Sequence, residues 1–403
     1  MRVAYFSPMP PSHSGIADYS TLLLPALRER IDEVVVAQPG RRAPTADVAL
    51  YHVGNDPDAH GWIVDALRAR PGLVVLHELV LHHLIAGITI GRGDGRGYLG
   101  AMERDLGVAG RLIGLGVLDN LLPPPWETQP DRFPLTGPIL DLAQGLIVHS
   151  AYVERGAREA GFAGPVWRIP HPAWPDEPVP PAEHTGEPLV GCFGHMNINK
   201  RIPALLEAFA ALRERRPGTR LLLVGEASER FELDRRLERL GVGSDELIRE
   251  RWVSEERFRS LMAACDVLVN LRSPTMGETS GSVIRALALG KPVLVSDVGW
   301  FSEIPDGAAL KIPVDDYEVP TIAGALELAA DHAAELGAAA SAYVHAEHDL
   351  GRVADAYTAA LEEAAGGDMV QDAVLLRVAE GAAGIGLDDP VELARLARES
   401  GLL

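Results

Sequence analysis

The chain has 403 residues, 47% of them hydrophobic, a length and apolar content that suit two globular domains plus appendages. Its formal charge of −20 excludes general nucleic-acid binding and a polybasic hold on anionic lipid, and no run approaches the ~20 apolar residues of a membrane span. The opening MRVAYFSPMPP has no long apolar run of a signal peptide, and Cys192 and Cys265 sit singly in apolar segments, so a cytoplasmic protein with reduced thiols is expected.

Short apolar runs alternate with amphipathic stretches from the first residues onward. Strands are expected at Val3–Phe6, Val34–Ala37, Val48–Val53, Leu73–Leu76, Leu146–His149 and Val166–Ile169. Helical patterns cover Tyr19–Arg30, His60–Arg70 and Tyr152–Ala160 between them. Residues 171–188 hold six prolines and are expected to be a linker. The alternation then restarts, with strands at Leu189–Phe193, Leu221–Val224, Val267–Asn270 and Val293–Ser296 and helices at Ile202–Arg215, Phe231–Leu240 and Ser282–Leu289. Residues 318–365 read as helices only, and 366–403 as two short helices around LDDP. Strands alternating with helices imply parallel sheets. The expected fold is α/β: two Rossmann-like doubly wound domains, 1–170 and 189–348, then a helix over 349–365 and a helical tail that is available to a partner.

Ligands of such sheets bind outside the carboxyl ends of the strands. The loops at those ends are rich in glycine and polar residues. The first is PSHSGIADYS, with His13, Gly15 and Asp18; the next holds Asn55 and His60, and later ones begin at His77 and at His149-Ser150. GRGDGRG, residues 91–97, is expected to be a flexible loop. In the second half, GCFGHMNINKR places Lys200 and Arg201 near the start of a helix. Cations there oppose the helix dipole but suit a bound diphosphate; otherwise they are a solvated pair. Only three of the 37 basic side chains are lysines, Lys200, Lys291 and Lys311, which makes the placement of Lys200 informative. The segment RSPTMGETSGS ends in Thr279, Ser280, Gly281 and Ser282, a helix start whose free N–H groups form a ready anion site. Glu278 beside it either accepts from sugar hydroxyls or is a solvated flank of an ordinary cap. No metal is expected, because no Asp-x-Asp dyad ends a strand of the second half and His77 and His82 miss the HExxH spacing.

Together these segments resemble glycosyltransferase family four, retaining enzymes of the GT-B fold, most specifically over residues 189–304. The family's Gly-Arg-x4-Lys motif falls on Gly194, His195 and Lys200, keeping the lysine and replacing the arginine. Its Glu-x7-Glu motif, anchored on Leu289-Gly290-Lys291-Pro292, puts Arg285 where the second Glu holds the nucleotide ribose. Gly277 takes the first position, so Glu278 fills it with a loop one residue shorter. The resemblance places Gly15 in a first-domain loop facing donor and acceptor, and His77 where the family carries a histidine facing the transferred sugar. A hydrogen-bonded core histidine is the alternative for His77. It also implies that the helix over 349–365 returns to the first domain.

The resemblance implies a metal-independent retaining hexosyltransferase without a cofactor, binding a UDP- or GDP-sugar between its domains and transferring to a hydroxyl acceptor such as a glycan or another metabolite. His77, Lys200 and Glu278 would serve catalysis. The donor would be held by Gly15, Gly194, His195, Lys200, Arg201, Glu278, Thr279, Ser280, Gly281 and Ser282. A non-catalytic sugar-nucleotide-binding protein and a GT-B nucleotide-sugar epimerase remain as alternatives.

Overall fold

The computed structural model describes residues 1–12, 14–175, 178–227 and 231–366, and a few positions beyond (381–382, 386, 389 and 395). His13 and the two short helices expected over 366–403 lie outside the described residues, apart from those positions and Gly366. Backbone contacts divide the chain into residues 1–170 with 351–403, and residues 171–350.

The first unit contains β1 (Arg2–Phe6), β2 (Glu33–Val36), β3 (Val48–Val53), β4 (Gly72–Leu76), β5 (Ala143–Val148) and β6 (Val166–Arg168). All pair in parallel, in the order β2-β1-β3-β4-β5-β6. β3 and β4 are buried along their whole length, the state that continuous apolar runs announce in a parallel sheet. The first helix, Gly15–Arg28, begins four residues before the expected Tyr19, because Ser14 caps it by accepting from Ile16 N. GRGDGRG is not a loop throughout: Asp94 accepts from Gly97 N and starts the helical stretch Gly95–Leu118, which kinks at the non-helical Gly107 (φ +63°). The helix Leu350–Ala365 buries Val353, Ala354, Tyr357 and Leu361 in this unit. There Tyr357 Oη meets Tyr19 Oη at 2.7 Å, and Trp167 Nε1 donates to Glu363 at 2.7 Å.

The second unit contains β7 (Leu189–Phe193), β8 (Arg220–Val224), β9 (Leu247–Glu250), β10 (Val267–Asn270), β11 (Val293–Ser296) and β12 (Leu310–Ile312). These are again parallel, ordered β12-β11-β10-β7-β8-β9. The proline-rich stretch packs within this unit, where Ala173 N donates to His348 O and Ala182 N to Ser260 O. Two parallel six-stranded sheets with flanking helices are the α/β architecture expected. No helix among the described residues is long and apolar enough to cross a membrane.

Candidate functional site

In the second sheet the chain runs outward from β7 through β8 and β9, then crosses to β10 and continues the other way. The loops leaving β7 and β10 therefore diverge at the carboxyl edge, the switch point where doubly wound sheets bind ligands.

Lys200 closes a 3₁₀ turn, Ile198–Lys200, opened by Asn197, whose Oδ1 accepts from Lys200 N at 3.2 Å. The side chain folds back over the end of β7, is only 8% exposed, and donates from Nζ to Phe193 O. Gly194 makes this fit possible. Its φ is +90°, and a Cβ there would lie 2.6 Å from Lys200 Nζ. Burial pushes the Lys200 pKa down to about 7, and the positive charge of Arg272 acts in the same direction; Cys192 and Glu278 oppose.

Arg272, two residues beyond β10, is the cation that the sequence reasoning missed. Its backbone N donates to Ser296 Oγ at 2.9 Å, and its Nε donates to Glu278 Oε1 at 2.8 Å. Glu278 Oε2 accepts from Thr275 Oγ1 (3.1 Å) and Met276 N (2.8 Å). The two loops are tied directly, Ser273 N donating to Asn199 O at 2.8 Å. Lys200, Arg272 and Glu278 thus share one site, and Glu278 is its organiser, with both oxygens engaged inside the loop.

Arg201 does not join them. It adopts a left-handed backbone (φ +53°), and its guanidinium is gripped by Glu318, which is 3% exposed. This buried pair fastens the start of helix Ile202–Arg215 to that of Glu318–Asp331. A carboxylate buried beside it explains the cation better than an anionic ligand does. His195 is exposed.

Ser280 caps the helix Gly281–Ala288, which follows Thr279. Its Oγ meets Ser282 Oγ at 3.0 Å, and Asn270 Nδ2 from the end of β10 donates to Ser282 Oγ at 2.9 Å. These side chains hold the helix start at the switch point, and Ser280 Oγ accepts from Val283 N within the first turn. Arg285, one turn on, lies 3.4 Å over the ring of Trp174, with Nε on Glu255 Oε1 at 3.0 Å. It is a packing residue that covers the outer side of Gly281, where a Cβ would meet Trp174 and Arg285 at 3.4 and 3.5 Å.

In the first unit, order β2-β1-β3 sets the switch point between β1 and β3. Gly15 has nothing within 4 Å of where a Cβ would stand, so the surrounding protein does not demand glycine there. His77 follows β4, is 9% exposed and has Nε2 3.0 Å from His52 Nδ1. Its ring centroid is 5.1 Å from that of His149 and 4.8 Å from that of Tyr19, edge-on. His77 is thus part of a buried histidine cluster at a strand's carboxyl end. His60 and Asn55 are structural: His60 Nδ1 donates to His52 O at 3.0 Å, and Asn55 Oδ1 accepts from Leu84 N at 3.0 Å. A cavity of about 830 Å³ opens at the ends of β1 and β2, lined among others by Met9, Gln38, Asp58, Trp62 and Arg92. Among the described residues no cluster of three His, Cys, Asp or Glu is placed to hold a metal.

Residues 187–331, most of the second unit, match the family described as Glycosyl transferases group 1. Solved structures resemble nine-tenths of the chain. Sucrose-phosphate synthase from Thermosynechococcus elongatus superposes with a TM-score of 0.63 at 18% identity, covering 90% of this chain and 98% of that one. HepE of Anabaena, solved with UDP-glucose, gives 0.59 at 16%, covering 90% and 100%. The fold is GT-B. No curated protein matches the sequence.

Proposed function

We propose that this protein transfers a hexosyl group from a UDP- or GDP-sugar to a hydroxyl acceptor, with retention at the anomeric carbon and without a metal. The observation that carries this reading is the pair of cations, Lys200 and Arg272, brought together at the switch point of the unit matching the glycosyl transferase group 1 family. A diphosphate seated there meets both charges and the first-turn N–H groups of Gly281–Ala288. As the anomeric C–O bond breaks, these groups neutralise the charge growing on the departing oxygen. The acceptor oxygen attacks from the face being vacated and passes its proton to a leaving-phosphate oxygen. His77 orients the sugar. Glu278 keeps Arg272 in place, and Arg201 has no part in the chemistry. We place the reaction in the cytoplasm, in keeping with the two free, buried thiols.

The test begins with a thermal-shift screen of sugar nucleotides, since a donor at ~100 times its Kd adds about 2.7 kcal/mol of stability. The stabilising donor is then incubated with a panel of hydroxyl acceptors, with and without EDTA. Nucleoside diphosphate released only with a correct acceptor, at a rate EDTA leaves unchanged, is the expected result. Tight binding with no release under any condition makes the chain a binding protein; isomerised donor without acceptor makes it an epimerase.

Affinity for the free nucleoside diphosphate should weaken as pH rises above 7. Lys200, with its pKa pushed down to about 7, loses its ammonium charge there. The sign follows from linkage: an anion that binds the protonated form loses up to ~10-fold in affinity per pH unit above the free-state pKa, until the bound-state pKa is reached. Calorimetric titrations between pH 6.5 and 9 check this. A flat profile in the wild type would remove Lys200 from the diphosphate site, and Lys200→Arg should be flat.

A further inference from the structure

His52 is the polar residue inside the otherwise apolar strand β3, and it has no exposed surface. Tyr5 and Tyr19 wall it, with ring centroids 4.6 and 5.7 Å away. Its Nδ1 lies 3.0 Å from His77 Nε2, while its Nε2 has no hydrogen-bond partner among the described residues.

A neutral imidazole has one N–H and one bare nitrogen, so the short contact can be made in two ways. If His77 Nε2–H donates, His52 must carry its own proton on Nε2, a buried N–H facing no acceptor. If His52 Nδ1–H donates, the atom left without a partner is a bare nitrogen. Orphaned buried N–H groups are the rarer and costlier outcome. A charged His52 is excluded as well. It would bury that same N–H and a cation together, and burial, with His149 and His60 adding to it, pushes its pKa well below the usual histidine range. The neighbouring rings are fixed independently, because His60 Nδ1 faces the carbonyl of His52 and His149 Nδ1 that of Ile169, groups that only accept.

We propose that His52 is a positioning residue, whose Nδ1–H donates to His77 Nε2 and fixes His77 in the tautomer carrying its proton on Nδ1. Resting on the reading of His77 as the residue that orients the sugar, this assigns the interaction its polarity. His77 offers a donor, suited to a hydroxyl or ring oxygen of the transferred sugar, and cannot serve as a base at Nε2 while that nitrogen is occupied.

The experiment is a long-range ¹H–¹⁵N spectrum of full-length protein labelled with ¹⁵N-histidine, with the His77 signals identified by their loss in His77→Gln. A pyrrole-type Nδ1 and a pyridine-type Nε2 are expected for His77. In His52→Asn the amide nitrogen falls close to the former Nδ1 and can still donate, so the tautomer should persist. In His52→Leu the two tautomers should mix. Turnover with the donor found above should stay within about twofold for His52→Asn and fall about tenfold for His52→Leu, KM for the donor changing little. His77 protonated on Nε2 in the wild type overturns the proposal, whether or not the variants fold. So does an unchanged His77 spectrum in folded His52→Leu. The expected spectra combined with full turnover in His77→Gln would uphold the tautomer and remove His77 from the reaction.

Discussion

Lys200→Ala is expected to cut turnover by a factor of ~10²–10³, the usual loss when one preorganised group facing developing charge is removed. Donor binding should weaken in parallel, because the same ammonium meets the diphosphate before and during departure. Stability should hardly change, for two opposing reasons. The substitution opens a small void, but it also removes a buried cation whose burial is unfavourable, as its pKa near 7 records. In linkage terms the unfolded chain holds the extra proton between about pH 7 and the ordinary lysine range, so this cost shrinks as pH rises through that window. The alanine variant should therefore match the wild type at high pH and melt no lower near pH 6.5. Lys200→Arg should rescue turnover poorly even though it keeps the charge. The space above Gly194 is fitted to an ammonium, since a Cβ on that glycine would already lie 2.6 Å from Nζ, and a planar guanidinium does not fold into it. Steady-state kinetics beside melting curves for the three proteins decide the matter. Near-normal turnover in Lys200→Ala would leave the lysine as a packing residue and take away the main support for the donor site.

Much of the fold was legible because parallel strands buried on both faces leave continuous apolar runs, as VALYHV and GLVVL do in β3 and β4. β9 and β12 were not foreseen. They are edge strands, LIRE and LKI, with a neighbour on one side only, and their charged side chains erase the apolar signal. Gly95–Leu118 was hidden by its glycines, and the capping role of Asp94 shows only once the backbone is seen. In the site, Lys200 was legible from its rarity and its place after a strand. Its partner was not. Arg201 is adjacent in sequence, but the left-handed turn between 3₁₀ turn and helix goes with a guanidinium committed to Glu318. Arg272 is distant in sequence, and only the order β10-β7 brings its loop alongside. Local pattern reveals which residues end strands; which strand ends are neighbours depends on topology. Glu278 stands out in the sequence as a carboxylate beside a helix start, but its engagement by Arg272 could not be seen before that arginine was placed.

Glu278→Gln should separate an organising carboxylate from one that touches only the sugar. In the wild type its two oxygens receive Arg272 Nε, Thr275 Oγ1 and Met276 N, which closes the loop between β10 and the helix Gly281–Ala288. A glutamine keeps the shape but has one acceptor oxygen. Turned toward Met276 N, it points an NH₂ at the guanidinium; turned toward Arg272, it abandons the loop. Either way Arg272 loses its counter-charge in a site where both partners are mostly buried, at 15% and 22% side-chain exposure. Breaking a fully buried pair costs about 3–5 kcal/mol, so roughly half of that is expected here. The kinetic consequence distinguishes the roles. If Glu278 acts by holding Arg272, affinity for the free nucleoside diphosphate, which has no sugar, should fall about tenfold, and turnover should drop with it. Arg272→Ala should show the same pattern, and the double variant should be far less than additive, because each change breaks the same bond. A double-mutant cycle read by diphosphate titration and melting temperature measures this directly. Unchanged diphosphate affinity in Glu278→Gln, with turnover alone reduced, would return Glu278 to the sugar and leave Arg272 to hold the phosphates unaided.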